Sequence, residues 1–374
     1  MRRFICAFLV MMSAVFPVRA AEEFADSEVF ASVYTYVQDK YIEPLPASEV
    51  AVNVIKGLNK VDRRLKVADD NKRVSLYYNG RIIKSFLKPE NPKDINAAVK
   101  LTGRMIKAAQ QVSKTAADKD FEITDIILED GINSYLDGDS KYYPTFSAEK
   151  KGQLKNRRNF AARMMGDILY LKIRAFNKFT LESFNEAFAE NPDFAGVILD
   201  LRSSPGGSLA EALTIADKFL DGGIVISAKG RDPSSQQFYN STAGDIAGDK
   251  PMVVLVDGET TSSAEIIAAT LQEQSRAKVV GTKTFGKGTR QDLFELPNGA
   301  ELGLTTAWFY TPSGRPLDKQ GVNPDICTFE MLDRKNLNEI INKPKPKSEA
   351  CPREPRELKN IDLDIAGALL KSRI

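Results

Sequence analysis

Residues 195–212 read AGVILDLRSSPGGSLAEA. The opening run is apolar until Asp200 and Arg202, too short for a helix and suited to a strand covered on both faces of a mostly parallel sheet. Gly206 and Gly207 mark a turn after it, and LAEALTIADKFL (209–220) then takes up a helical period. The same order recurs on both sides. GDILYLKI (166–173) reads as a strand and FTLESFNEAFAE (179–190) as a helix. Downstream, GIVISAKG (223–230) and PMVVLVDG (251–258) are strands, SAEIIAATLQEQ (263–274) a helix and AKVVGTKT (277–284) a strand. Such alternation predicts an α/β domain whose functional loops lie at the carboxyl ends of its strands.

The region before it has a different character. Apolar residues three and four apart predict helices between Phe30 and Leu65, interrupted at EPLPAS, and again over Ile95–Val112 and 125–136. RVSLYYNGRIIKSF alternates around Asn79-Gly80, the signal of a type I′ hairpin. The organisation expected is a mainly helical N-terminal region over 21–150, with a hairpin and helix inserted at about 66–118. A catalytic-type domain follows over 151–342, then a charged, proline-rich linker and a last helix over 343–374.

The first twenty residues place Arg2 and Arg3 before an apolar run too short to span a bilayer, with Val18 and Ala20 at the small positions of a cleavage site. This order predicts a signal peptide and a periplasmic or secreted product with no transmembrane segment after cleavage. The formal net charge of +2 falls by three, to −1, when Arg2, Arg3 and Arg19 leave with that segment. A nearly neutral chain offers no electrostatic ground for binding nucleic acid. Cys327 and Cys351 remain, and export favours a bridge between them over two free thiols.

The 374 residues contain no histidine. That excludes a Ser-His-Asp or Cys-His mechanism and every His-ligated metal site. Three strand-end loops then carry the chemistry. The first holds Gly206 and Gly207 and lacks the Lys-Ser/Thr pair of a phosphate-binding loop. The second is DGETTSSAE (257–265). Here Ser262 reads either as an N-cap closing a capping box with Glu265, or as a nucleophile whose oxyanion is met by free helix amides. Thr260, Thr261 and the Ser263 hydroxyl read as structural, Asp257 as a turn-stabilising residue, and Asp200 with Arg202 as a local charge network. The third loop, TFGKGTRQ (284–291), projects Lys287 between two glycines, and without histidine a lysine is the remaining strong base for a serine once its amine is uncharged. No metal or organic cofactor is expected.

Taken together, GVILDLRSSPGG, SSAEIIAATLQEQSRAKVVG, TFGKGTRQ and TPSGRPLDKQGVNPDI, in this order and spacing over about 166–326, resemble the catalytic domain of the C-terminal processing (tail-specific) peptidases. The resemblance implies a crotonase-like, ClpP-like α/β fold and a Ser-Lys endopeptidase acting on protein or peptide substrates. It implies Ser262 as nucleophile, Lys287 as base, Gln291 as the group that orients the lysine, and an oxyanion hole of backbone amides at Gly207 and Ser263. A further reading keeps the fold as a catalytically silent peptide-binding scaffold. In the usual family member a PDZ domain follows a motif like SYLDGDSKYYPTF, whereas here only residues 144–165 separate Tyr143 from Gly166. Twenty-two residues are too few, since domains run from about 50 residues upward. An adaptor or activating protein recruited by the N-terminal region, and a homo-oligomer built through its helices, are the partners this departure suggests.

Overall fold

The computed structural model describes residues 26–120, 122–145, 159–242, 244–329, 351–353 and 360–373. The expected signal peptide and most of the expected proline-rich linker lie outside the described residues.

The N-terminal region runs α1 (Ser27–Lys40), α2 (Ala47–Lys56), α3 (Leu58–Val61), β1 (Leu65–Asp69), β2 (Arg73–Tyr78), β3 (Arg81–Leu87), α4 (Ile95–Val112), α5 (Lys114–Asp118), α6 (Ile123–Tyr135) and β4 (Lys141–Tyr143). The β2–β3 turn is the type I′ one expected, with Asn79 at φ 50° and Gly80 at φ 78°. β1, which the helical pattern of its flank concealed, pairs antiparallel with β2 and completes a three-stranded sheet. α4 begins at an Asp94 cap that accepts from the Ala97 amide, and its apolar face joins Val74 and Leu76 of β2 and α2 in one core. The segment expected as an insertion is therefore part of the core of this region. That core extends to Leu302 and Leu304 of a strand far along the chain.

The second part runs β5 (Phe160–Met165), β6 (Ile168–Ile173), α7 (Lys178–Glu190), β7 (Gly196–Asp200), α8 (Leu209–Asp217), β8 (Ile224–Lys229), β9 (Gln237–Asn240), β10 (Met252–Val256), α9 (Ser263–Glu273), β11 (Lys278–Gly281), β12 (Thr289–Glu295), β13 (Glu301–Tyr310), β14 (Ile326–Cys327) and α10 (Asn360–Lys371). Six strands form one sheet in the order β14-β11-β10-β7-β6-β5, parallel except for β5 at the edge. β7 and β10 are buried throughout, as their unbroken apolar runs require. Phe184, Phe219, Ile215 and Ile267 cover one face of this sheet, while Ile365 and Leu370 of α10 cover the other.

A second, antiparallel sheet in the order β12-β13-β8-β9 was not anticipated from the sequence. β4 of the N-terminal region adds to β13, pairing Lys141 with Gly303 and Tyr142 with Leu302. The architecture is mixed α/β, with the N-terminal region joined to the second part by strand pairing and a shared core. No helix among the described residues is long and apolar enough to cross a membrane. Cys327 and Cys351 are joined in a disulfide, which holds residues 351–353 beside β11, where the Lys283 amide donates to the Pro352 carbonyl.

Candidate active site

β10 ends at Val256, and a loop from Asp257 leads into α9. The Asp257 amide donates to Thr260 Oγ1, and Thr260 Oγ1 donates onward to the Leu201 carbonyl, so this threonine pins the loop to the end of β7. Asp257 accepts from the Ser203 and Glu259 amides, which makes it the turn-stabilising residue expected. The loop delivers Ser262 at φ 57° and ψ −127° at the mouth of α9. A non-glycine residue in that region is strained by about 1–3 kcal/mol and persists only where its surroundings enforce it. A sharp strand-to-helix turn is how a nucleophilic serine is presented at the top of a sheet in the α/β-hydrolases.

What enforces it is visible on both sides. A Cβ on Gly206 would lie 2.9 Å from the Ser262 Cβ and 3.0 Å from the Ser263 nitrogen, so the glycine turn after β7 is packed directly against the elbow. The Ser263 hydroxyl donates to the Gly207 carbonyl at 3.2 Å, which ties the two loops together. Neither the Gly207 nor the Ser263 amide meets an acceptor among the described residues. Two free amides beside a helix N-terminus are what a developing alkoxide requires.

On the other side stands Glu265, fully buried. Its carboxylate accepts from the Ser262 amide at 2.9 Å, the Gly286 amide at 2.6 Å, the Lys287 amide at 2.8 Å and the Thr284 hydroxyl. Burial pushes the Glu265 carboxyl up from its ordinary value, and these four donors pull against that rise. The capping-box reading thus captured one of four bonds. The carboxylate also clamps the loop of Ser262 to the loop of Lys287, a role the spacing of the sequence alone does not reveal.

The lysine side chain points elsewhere. Lys287 Nζ donates to Asp139 Oδ1 at 2.7 Å, and no hydrogen bond links it to Ser262 Oγ. Gln291 Nε2 donates to the Asp139 carbonyl at 2.6 Å rather than to the lysine, and Thr289 Oγ1 donates to Asp139 Oδ2 at 2.8 Å. Ser262, Ser263, Gly207 and the Lys287 backbone are therefore gathered at one place, while the Lys287 amine and Gln291 converge on Asp139. That aspartate lies in the SYLDGDSKYYPTF stretch, and nothing in its spacing announced the contact.

Residues 167–328 match the sequence family described as peptidase family S41. The match covers that segment, less than half of the 374 residues. It is 33% identical over 235 residues to the carboxy-terminal-processing protease of Bartonella bacilliformis, covering 57% of this chain and 54% of that one. It is 42% identical over 137 residues to the carboxyl-terminal-processing protease of Synechocystis, covering 37% and 32%. The chain thus matches about half or less of the length of these relatives. A solved photosystem II D1 C-terminal processing protease shares 31% identity over 45% of each chain, with a TM-score of 0.40.

Within the S41 domain, the charge network at the end of β7 supports the site from beneath. Asp200 accepts from Arg202, Lys172 and the Tyr170 hydroxyl, and Arg202 reaches on to Asp362 of α10 at 3.1 Å. Burial alone would raise the Asp200 carboxyl. The hydrogen bond and charge of Arg202, with the charge of Lys172, outweigh burial and hold it at about 2.

Proposed function

We propose that this chain is an exported serine endopeptidase of the carboxyl-terminal processing type, working through Ser262 and Lys287. The observation that carries the reading is the Ser262 elbow. Its backbone is strained, it sits at a helix N-terminus between two free amides, and a buried carboxylate binds it to the lysine loop. Ser262 Oγ attacks the scissile carbonyl carbon as its proton passes to the uncharged Lys287 amine. The Gly207 and Ser263 amides take the oxyanion. The protonated lysine then gives its proton to the leaving amine, and water, deprotonated by the same lysine, releases the acyl group.

Cleavage of an unfolded protein such as casein by the mature chain tests this, with Ser262→Ala and Lys287→Ala alongside. Loss of cleavage in both variants, with a serine-reactive phosphonate mapped to Ser262 in the wild type, is the expected result. Cleavage that survives Ser262→Ala would refute the assignment. The pairing of Lys287 with Asp139 favours one second reading, a silent scaffold that retains the fold to bind peptides. Absence of both labelling and cleavage would select it. Export is tested by the N-terminus of the processed protein, expected just after Ala20.

A further inference from the structure

Asp139 lies between α6 and β4, outside the S41 segment, yet it meets three side chains from β12 and the loop before it. Lys287 precedes β12, and Thr289 and Gln291 lie on it to either side of a register shift at Arg290/Gln291. All three turn to the same residue: Lys287 and Thr289 to its two carboxylate oxygens, Gln291 to its carbonyl. The segment carrying it is itself held at both ends. Asp137 Oδ1 accepts from the Ser140 amide at 2.6 Å, the Asp137 amide donates to Tyr41 Oη at 3.1 Å, and the Thr305 amide donates to Ser140 Oγ at 2.9 Å. The N-terminal region thus places a carboxylate on the amine that the proposed mechanism needs at Ser262.

We propose that Asp139 is a latch: it holds Lys287 Nζ away from Ser262 Oγ, so the N-terminal region governs whether the dyad is assembled. An amine donating into an ion pair offers no lone pair to the serine proton. Freeing it takes a swing of the lysine side chain away from residues 136–140, which connect α6 directly to the strand added to the second sheet. The Lys287 and Asp139 side chains retain 33% and 29% of their exposure, so the pair is partly screened and can open at modest cost. The proposal rests on the Ser262–Lys287 reading above and adds a regulating residue to it.

The test compares wild type with Asp139→Asn, which keeps the shape and the main-chain carbonyl but removes the charge, and with Thr289→Val, which loosens the carboxylate without touching it. Two readouts are taken from full-length mature protein. The first is kcat and KM for cleavage of fluorescent casein. The second, on a Ser262→Ala background, is the rate at which N-hydroxysuccinimidyl acetate acylates Lys287, read by mass spectrometry. A partly exposed ion pair predicts a rise of about fivefold in both kcat and acylation rate for Asp139→Asn, with KM unchanged, and a smaller rise for Thr289→Val. Unchanged acylation in both variants overturns the latch whatever the cleavage result. Faster acylation with a lower kcat also overturns it, because Asp139 would then assist the lysine. Faster acylation with no cleavage by any form overturns the Ser-Lys reading itself, and the latch falls with it.

Discussion

Gly206 and Gly80 have similar positive φ angles, 85° and 78°, in different surroundings. A Cβ at Gly80 would meet nothing within 4 Å, whereas at Gly206 it would lie 2.9 Å from both the Ser262 Cβ and the Thr261 carbonyl oxygen. Alanine at either position incurs the left-handed penalty, roughly 1 kcal/mol. At Gly206 it must also push the elbow aside by several tenths of an ångström, and overpacking of that kind adds roughly 1–3 kcal/mol. We therefore expect Gly80→Ala to cost about 1 kcal/mol and Gly206→Ala about 3 kcal/mol, measured by urea denaturation. The elbow carries the proposed nucleophile, and displacements of about 1 Å cost on the order of a hundredfold in rate. Gly206→Ala should accordingly lose at least about tenfold in kcat/KM for casein, while Gly80→Ala keeps wild-type activity. Indistinguishable variants, in stability and in kcat/KM alike, would mean that the Gly206 contact does not fix Ser262, and the reasoning about the elbow would be wrong.

Glu265→Ala leaves three backbone donors, one buried and two half-buried, without their acceptor and should cost about 3 kcal/mol in chemical denaturation. Asp200 is held at about 2, against 3.8 for an ordinary aspartate, which corresponds to about 2 kcal/mol of stability. Because its folded value is the lower one, that contribution is present above pH 4 and disappears as pH falls towards 2. Denaturation of wild type across this range should show the loss, and Asp200→Asn should lack this part of the pH dependence. Reduction of Cys327–Cys351, separated by 24 residues, should cost about 3 kcal/mol, and mass spectrometry of the unreduced protein should find neither thiol alkylatable.

The buried parallel strands were legible because strands covered on both faces show uninterrupted apolar runs, as β7 and β10 do. The hairpin at Asn79-Gly80 was legible because two consecutive positive φ angles restrict the residue choice. The antiparallel sheet was not. β12 alternates between half-buried and exposed positions, β4 has three residues, and the pairing of β4 with β13 joins positions about 160 residues apart. No local period carries such a partnership. At the site, the loops of Ser262, Lys287 and the glycine turn stood out as strand-end loops in a chain without histidine, and the roles of these residues came with the resemblance. Glu265 was seen only as a cap, because its further partners come from a loop twenty residues on. Asp139 was invisible for the same reason: its contact with Lys287 spans 148 positions.

The two carboxylates at this site act on different parts of the same loop, and their surroundings decide which of them can let go. Glu265 is fully buried and binds backbone amides, so releasing it would orphan several main-chain donors at once. It therefore holds the Ser262 and Lys287 loops at one separation. Asp139 binds side chains near the surface, and the four-carbon stem of Lys287 can swing away without disturbing a single main-chain bond. A control acting here is thus confined to the lysine side chain, above a nucleophile whose backbone stays fixed. This also gives the N-terminal region a reason to share a core and a strand with the S41 domain: a latch on a freely hinged domain could not place one carboxylate on one amine.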